Sequence, residues 1–220
     1  MEAETGLRER KKHRTRVLIA ETARRLFVER GFEAVSVAEV ARQAEVAEAT
    51  VFNYFPSKED LFYSRLESFW TRLAAEVSAR PPGQPVLAAF QAALLADGGL
   101  LGALESGDPD ALARLRAVNN VVSGSPALLA REQQVLSRAA SDLGARLAAE
   151  TGAAAADPRP QVAANALLGV HRVLIDYVRR RILAGDQLPS LPADVRKLSA
   201  AAFGLLEHGL GDYPPGPAGG

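Results

Sequence analysis

The chain has 220 residues, 48% of them apolar, and its 26 basic and 26 acidic residues give a formal net charge of zero. This composition indicates one or two soluble globular domains with a proper core and excludes a disordered chain. The absence of cysteine excludes disulfides and thiolate metal sites, and no apolar run or export signal indicates a membrane or secreted protein, so a cytoplasmic location is expected.

Residues 1–15 are predicted to form a flexible, basic N-terminal arm. Residues 8–16 read RERKKHRTR, with six basic residues and the single acid Glu9. One interpretation is a solvated tail, and the other is an arm that reaches DNA phosphates or a minor groove. The position of this segment directly before a helix-turn-helix favours the second interpretation, which predicts salt-dependent affinity. The candidate contacts are Arg10, Lys11, Lys12 and Arg14.

A first helix is predicted over about residues 16–30, because inward side chains recur at helical spacing along one side. Gly31 follows as a C-cap in the left-handed conformation, and Phe32 is expected in the same small core. The residues of the inward face are Ile19, Ala23, Leu26, Phe27 and Arg30.

Two short helices and the start of a third are predicted between residues 36 and 61. Ser36 stands before the first of them with Glu39 three residues on, the S-x-x-E capping box in which each side chain satisfies a backbone N–H. Apolar residues spaced three and four apart mark the inner face of this helix. They are Val37, Val40, Ala41 and Ala44.

The second short helix covers about residues 48–55, with Val51 and Phe55 pointing inward. The following proline ends it, because proline disfavours a helical conformation in the residue before it. Ser57 and Asp60 then form a second capping box that opens a long helix. Two helices joined by a tight turn, the second short with polar residues outward, make a helix-turn-helix.

The run TVFNYFPSKEDL at residues 50–61, preceded by SVAEVA at 36–41 and an LF-x3-GF segment at 26–32, resembles the DNA-binding domain of the tetracycline-repressor (TetR) family. The combined pattern is specific to the family, whereas any four of its residues alone would be weak evidence for the resemblance. It covers roughly residues 16–66. The resemblance implies a helix-turn-helix DNA-binding domain at 16–62 and a helical regulatory and dimerisation domain at 63–210.

The resemblance also implies DNA contacts, at the recognition-helix residues Thr50, Phe52, Asn53 and Tyr54 and at Lys58 beside a backbone phosphate. The chemistry agrees, because asparagine can pair bidentately with an adenine edge, while Thr and Tyr hydroxyls can hold phosphates. The alternative for each is an ordinary surface residue, and for Phe52 a core residue. Further candidates for the DNA-binding set are Ser36, Ala47 and Glu48.

Three positions depart from the usual pattern of the family. Glu45 occupies a turn position where glycine is common, so a side chain stands where a positive φ is often needed. Ala47 replaces the usual Ser or Thr cap of the recognition helix, a loss of about 1 kcal/mol. Phe52 replaces the common tyrosine and lacks its hydroxyl. None of these departures abolishes the motif.

The long fourth helix is predicted to run from Lys58 to about Arg80, where the segment PPGQP breaks it. Proline after Ser or Asp predicts later helix starts, and glycines predict the stops. The expected fold is all-α with about nine helices and a disordered tail at 211–220. The later helices are predicted at about 86–97, 109–123, 126–151, 160–184 and 192–210.

The last two predicted helices carry more apolar residues than one core face requires. In the family this pair meets its copy as a four-helix bundle, and a helix-turn-helix that binds a two-fold operator needs a dimer. The alternative is an ordinary buried core. We therefore expect a homodimer formed through about residues 160–184 and 192–210.

Polar residues within the apolar helices of the second domain can line a ligand pocket, since such pockets are apolar with a few placed polar groups. A surface or dimer-rim position is the simpler interpretation for most of them. The favoured candidates are Asn119, Asn120, His171 and Tyr177.

The favoured function is a transcriptional regulator, a repressor in most of the family, that binds a two-fold operator and is released by an unidentified small molecule. An enzyme is disfavoured, because three histidines without metal spacing and no glycine-rich phosphate loop predict no catalytic residue, metal or cofactor. The other alternative is a DNA-binding regulator controlled by a protein partner. A polar cavity in the second domain would favour release by a small molecule, whereas a solidly packed second domain would favour control by a protein partner.

Overall fold

The computed structural model describes residues 2–96, 101–105, 110–185 and 190–209, and the regular secondary structure among them is entirely helical, with no strand. The predicted all-α class is confirmed. The nine predicted helices are present, together with a short extra helix, α6. The bounds are α1 Glu2–Arg30, α2 Val37–Gln43, α3 Glu48–Tyr54, α4 Lys58–Ser78, α5 Val86–Leu95, α6 Gly102–Glu105, α7 Ala111–Ser123, α8 Pro126–Thr151, α9 Arg159–Leu183 and α10 Leu191–His208. The predicted tail at 211–220 lies outside the described residues.

Two compact units divide the chain. The first unit comprises Met1–Ser68 and Ala117–Val135, and the second comprises Phe69–Arg116 and Leu136–Gly220. Helices α4, α7 and α8 each contribute residues to both units. The division therefore differs from the predicted single boundary after residue 62, which assigned α7 and α8 wholly to the second domain.

The N-terminal segment differs from its prediction, because α1 begins at Glu2 rather than at about residue 16. The basic residues expected in a flexible arm are helical. No glycine or proline interrupts residues 7–30, and the Arg, Lys and Glu that dominate the segment are good helix formers. The Thr15 hydroxyl also donates to the Lys11 carbonyl at 3.0 Å, a bond between successive turns.

The buried face of α1 forms the core of the first unit. Ile19, Ala23 and Phe27 are each 0% exposed, as predicted, and the ring of Phe32 lies 5.0 Å from that of Phe27. Gly31 has a φ of +85°, and its N–H donates to the Phe27 carbonyl at 2.9 Å. The predicted left-handed C-cap is therefore confirmed.

The two predicted capping boxes differ in structure. Ser57 N–H donates to Asp60 Oδ2 at 2.9 Å and Asp60 N–H donates to Ser57 Oγ at 3.2 Å, so this box is complete. At the start of α2 only one bond forms, from Glu39 N–H to Ser36 Oγ at 3.1 Å. The Glu39 carboxylate instead accepts from the guanidinium of Arg30, a charge-assisted bond. This pairing corrects both the reciprocal half of the box and the inward position predicted for Arg30, which is exposed.

Helix α4 ends at Ser78, before the predicted end at Arg80, because Arg80 folds back over the helix end. Its guanidinium donates to the carbonyls of Val77 and Gln84, each at 2.9 Å, and to the carboxylate of Glu150. One arginine thus satisfies a helix-end carbonyl and holds the PPGQP turn.

Helices α9 and α10 supply most of a buried apolar cluster in the second unit. Val178 and Ile182 of α9 contact Leu191 and Val195 of α10, with Leu101 beside them. Because the end of α9 meets the start of α10, the two helices run antiparallel. This packing leaves the remaining faces of the pair for other contacts.

Candidate DNA-binding surface and regulatory core

Helix α3 separates its inner and outer side chains as predicted. Val51 is 0% exposed and Phe55 1%, whereas Phe52 is 47% exposed and Asn53 is exposed beside it. The alternative of a core position for Phe52 is therefore wrong. The other candidates on or next to this helix are exposed at Ala47 and Glu48 and half-buried at Thr50 and Tyr54.

The turn between α2 and α3 forms without glycine. Glu45 has a φ of +55°, and among the described residues it is the one non-glycine residue with a positive φ. Val46 N–H donates to the Ala41 carbonyl at 3.0 Å, which closes the turn. Ala47 caps α3 without a side-chain hydrogen bond. The backbone of the motif is intact, at a cost of about 1–2 kcal/mol for the left-handed residue.

Arg16 supports the end of the recognition helix. Its Nη1 donates to the Tyr54 carbonyl at 3.1 Å, and its guanidinium carbon lies 4.7 Å from the centroid of the Phe55 ring. The side chain thus satisfies a carbonyl in the last turn of α3 and covers its inward aromatic residue. Sequence reasoning counted Arg16 only as part of the basic run, because a pair 38 residues apart has no periodic signal.

Lys58, the predicted phosphate contact at the start of α4, is half-buried. Its ammonium lies 4.2 Å from the Phe32 ring centroid and 5.8 Å from that of Phe27. A cation over an aromatic face is stabilised by about 0.5–1 kcal/mol at an accessible site. Lys58 therefore has a structural contact of its own, and its phosphate contact stays a prediction.

Ser36 accepts a hydrogen bond from Glu39 N–H at the start of α2, so its oxygen has a structural role as an N-cap. The hydroxyl can still donate its proton to an outside acceptor, because an accepted bond leaves the O–H group available. The predicted contact of Ser36 with DNA is chemically compatible with its capping role.

The four basic candidates near the N-terminus are exposed residues of α1: Arg10, Lys11, Lys12 and Arg14. A helix turns about 100° per residue, so Arg10 and Arg14 share one side with Lys11 beside them, while Lys12 lies further round. A helix holds these charges at fixed spacing, whereas a flexible arm would not. The part of α1 before residue 16, here called the α1 extension, thus presents several exposed cations ahead of the motif.

Early α8 contributes a charged contact to the first unit that sequence reasoning missed. Arg131 Nη2 lies 2.5 Å from Asp60 Oδ1 and 2.7 Å from Glu67 Oε1. Ser125, at the start of the same helix, donates from Oγ to Glu33 Oε1 at 2.8 Å. The side chains of Arg131 and Asp60 are only 11% and 12% exposed. A pair this far from solvent is screened little.

The predicted ligand residues do not form one cluster within either unit. Asn119 and Asn120 belong to the first unit, half-buried and exposed respectively, whereas His171 and Tyr177 belong to the second. The Tyr177 hydroxyl accepts from Arg181 Nη1 at 2.6 Å, within a polar group that includes Asp194. The role of all four in ligand binding stays a prediction.

His171 lies among aromatic residues in the interior of the second unit. Its ring centroid is 4.6 Å from that of Trp70, edge to face, and burial lowers the pKa of the imidazole to about 3. The rings of Trp70 and Phe90 are stacked at 6.4 Å, and Phe203 lies 6.3 Å from Phe90. The imidazole is therefore neutral at pH 7 and packs as part of an aromatic core.

Exposed apolar residues also occur on α9 and α10. Val162 and Val173 are 63% and 58% exposed, and Leu198 is 39% exposed. The eleven positions between Val162 and Val173 correspond to three helical turns, so both lie on one face of α9. The prediction that these helices have more apolar surface than their core uses agrees with this exposure.

No cluster of three or more possible metal ligands is found among the described residues. Among the helices that the structure describes, none is long and apolar enough to cross a membrane.

Residues 19–64 match the sequence profile described as "Bacterial regulatory proteins, tetR family". The HTH-type transcriptional regulator TcmR of Streptomyces glaucescens is 31% identical over 147 residues, which are 64% of each chain. The HTH-type transcriptional repressor KstR of Rhodococcus jostii is 38% identical over 81 residues, 37% of each chain. The chain therefore spans less than two thirds of the length of these curated relatives.

The fold is similar to that of NalD, the secondary repressor of the MexAB-OprM multidrug efflux pump in Pseudomonas aeruginosa. The two chains are 20% identical, the match covers 87% of this chain and 96% of NalD, and the TM-score is 0.54. At this level of identity the likeness concerns the fold alone.

Proposed function

Because this chain belongs to the tetR family of bacterial regulatory proteins, we propose that it is a DNA-binding transcriptional repressor that acts as a homodimer. The observation that carries the proposal is the outer face of α3, where Asn53 and Phe52 are exposed while Val51 and Phe55 anchor the helix from below. The relative KstR, a transcriptional repressor, supports the sign of regulation.

Asn53 and Phe52 are the base-reading residues of the proposed complex. An asparagine amide can donate to N7-side acceptors and accept from the amino group of adenine in the major groove, and a phenyl ring can contact a thymine methyl. Thr50 and Tyr54, at the edges of the same helix, are placed to hold phosphates through their hydroxyls. Direct readout therefore rests on two side chains, and the remainder supplies orientation.

Phosphate contacts supply the rest of the affinity. The exposed cations of α1, with Lys58 and the N-cap of α2 at Ser36, can neutralise or hydrogen-bond backbone phosphates. The contacts near the start of α3 are made by the backbone at Ala47 and Glu48 rather than by their side chains, since a methyl group and a carboxylate have little attraction for phosphate. The carboxylate of Glu48 also repels phosphates, which disfavours binding to DNA irrespective of its sequence.

A homodimer through α9 and α10 explains the exposed Val162, Val173 and Leu198. Two copies related by a two-fold axis present two α3 helices to half-sites about 34–36 Å apart, one turn of the duplex. The proposed operator is therefore a palindrome. As a DNA-binding regulator the protein acts in the cytoplasm.

A small-molecule effector binding in the second unit is the proposed signal, because release requires only that it bind the two conformations with different affinity. The alternative is control by a protein partner, without a small molecule. The buried polar atoms of His171 and Trp70 in the second unit favour the first possibility.

The test is a salt titration of binding to the duplex directly upstream of the gene, against an unrelated duplex of equal length. Selective binding that weakens steeply with salt is expected. Asn53→Ala should reduce the preference by about 1–3 kcal/mol, roughly 5- to 150-fold. Binding to neither duplex, by a folded dimeric chain, would refute the proposal.

Lys12→Ala and Arg138→Ala are matched charge-removal variants for the same titration. Lys12→Ala, on the α1 extension, should weaken binding to both duplexes equally and reduce the slope of log affinity against log salt by about 1. Arg138→Ala, which removes an exposed arginine of α8 in the second unit, should change neither the affinity nor the slope. Lys12 is a cleaner phosphate probe than Lys58, because the ammonium of Lys58 also packs on Phe32.

A further inference from the structure

Three buried polar atoms in the second unit have no hydrogen-bond partner: Trp70 Nε1, His171 Nδ1 and Ser199 Oγ. The three residues are 4%, 6% and 0% exposed. Among the described residues of this unit they account for every buried side-chain N or O atom without a partner. Buried polar groups are nearly always paired in proteins, so three orphans in one interior require an explanation.

The same residues stand among aromatic rings from four helices. Trp70 of α4 stacks with Phe90 of α5 and meets His171 of α9 edge to face. Phe203 of α10 lies 6.3 Å from Phe90, and Ser199 precedes Phe203 by one helical turn on the same buried face. The orphan atoms are therefore borne by, or adjacent to, a single aromatic cluster.

We propose that Trp70, His171 and Ser199 form the recognition site for the effector, and that the effector is an uncharged, flat aromatic molecule that both accepts and donates hydrogen bonds. This inference rests on the proposed function, since it names the signal to which that regulator responds. The ligand supplies the partners that the three atoms lack in the ligand-free chain.

The donor and acceptor pattern sets the polar part of the ligand. An indole N–H can only donate, so the ligand must offer an acceptor to Trp70. The serine hydroxyl can donate or accept, and a neutral imidazole has one nitrogen of each kind. A ligand with adjacent N–H or O–H and C=O groups satisfies all three.

The buried polar residues in the described part of the second unit set the charge of the ligand. The described buried polar residues of the second unit are His171 and Ser199, and neither carries a charge at neutral pH. A charged ligand would lose its hydration with no counter-ion to replace it, which is far costlier than burying a neutral amide. The surrounding rings of Trp70, Phe90 and Phe203 favour a flat apolar body.

The first test requires no ligand. In the ligand-free chain, Ser199→Ala removes a hydroxyl that has no partner, so the Tm should stay the same or rise. Ser125→Ala is the matched control, because Ser125 is 1% exposed and its hydroxyl bonds to Glu33, so its Tm should fall by about 2–4 °C or more. An equal fall for Ser199→Ala would mean that a structural water pairs the hydroxyl, and would overturn the proposal.

The second test uses Trp70, the single tryptophan of the chain, as a fluorescent reporter. The probes are 2-quinolone, which is flat, uncharged and has adjacent N–H and C=O groups, 2-naphthoate, which is charged, and naphthalene, which forms no hydrogen bond. Saturable quenching by 2-quinolone alone, at least tenfold weaker in Ser199→Ala, is expected. Equal quenching by either of the others, or quenching by none, overturns the proposal.

Operator binding measured on the same preparation separates the two proposals. Selective DNA binding without quenching by 2-quinolone removes only the effector site assigned here. If the folded chain shows no preference for the upstream duplex over the unrelated one, the proposed function is refuted, whatever the result with the three probes. Release of the duplex by 2-quinolone, absent in Ser199→Ala, is expected if both hold.

Discussion

Arg131 and Asp60 form an ion pair 71 positions apart in the sequence, with Arg131 Nη2 at 2.5 Å from Asp60 Oδ1. The second oxygen of Asp60 accepts from Ser57 N–H and so caps α4 directly after the recognition helix. One carboxylate therefore joins the start of α4 to early α8. The residues that hold the end of the DNA-binding motif include one that was assigned to the regulatory domain from sequence.

Arg131→Ala should lower the free energy of unfolding by about 3 kcal/mol, because it removes the guanidinium that pairs with the carboxylate of Asp60, whose side chain is only 12% exposed. Guanidinium unfolding followed by circular dichroism measures the change. Arg138→Ala removes an exposed arginine from the same helix and should stay within about 0.5 kcal/mol of the parent. Equal effects of the two variants would mean that the pair contributes nothing.

Glu45→Gly should raise the free energy of unfolding by roughly 0.5–1 kcal/mol. Glycine adopts a φ of +55° without the clash that a β-carbon causes, and this gain exceeds the entropy that glycine loses on folding. Gln43→Gly is the comparison two residues earlier, where an exposed residue with helical backbone predicts a loss of stability rather than a gain. A loss of stability in Glu45→Gly would show that its turn is not strained.

Local patterns were sufficient to predict much of the DNA-binding motif. The reciprocal bonds of Ser57 and Asp60, the left-handed Gly31 and the exposed Asn53 all follow from spacing within a few residues. Such features depend on short-range geometry, which the order of residues specifies. The positive φ of Glu45 also agrees with the sequence, because the family pattern places glycine there.

Contacts between distant residues could not be predicted in the same way. The side chains of Arg16 and Arg131 were visible only as basic residues, since nothing local identifies Tyr54 or Asp60 as partners. Ser199 was invisible as a candidate because a serine within an apolar helical face gives no sign of whether its hydroxyl finds a partner. Helix periodicity specifies the buried face and leaves open what lies opposite.

Lower pH should destabilise the protein through His171. The folded pKa of His171 is about 3, below its ordinary value of 6.5, so the unfolded chain binds more protons between these two values. Stability from this group is present above pH 6.5 and is lost progressively as the pH falls toward 3. The slope has an upper limit of about 1.4 kcal/mol per pH unit.

The measurement is the Tm from pH 7 to pH 4 for the parent chain and His171→Leu. The parent should lose more stability over this interval than His171→Leu, because the variant has no buried imidazole to protonate. His13→Leu, which removes an exposed histidine from α1, should follow the parent. Parallel curves for the parent and His171→Leu would contradict the prediction.

Val173→Asp should weaken self-association roughly hundredfold or more. Val173 is 58% exposed on the face of α9 that also carries Val162, and a two-fold interface buries each substituted residue twice. Each of the two carboxylates would then lose hydration at the interface without gaining a partner, at a cost of more than about 1.4 kcal/mol. Each 1.4 kcal/mol corresponds to a factor of ten in the dissociation constant. Sedimentation velocity over a range of protein concentrations measures the dimer dissociation constant.

Val17→Asp is the matched control for this variant. Val17 is also a strongly exposed valine, at 45%, but it lies on α1 in the first unit and not on the proposed dimer helices. It should leave the dissociation constant unchanged. If Val173→Asp remained a dimer with parental affinity, the exposed face of α9 would not be the interface, and the spacing argument for a palindromic operator would need another pair of helices.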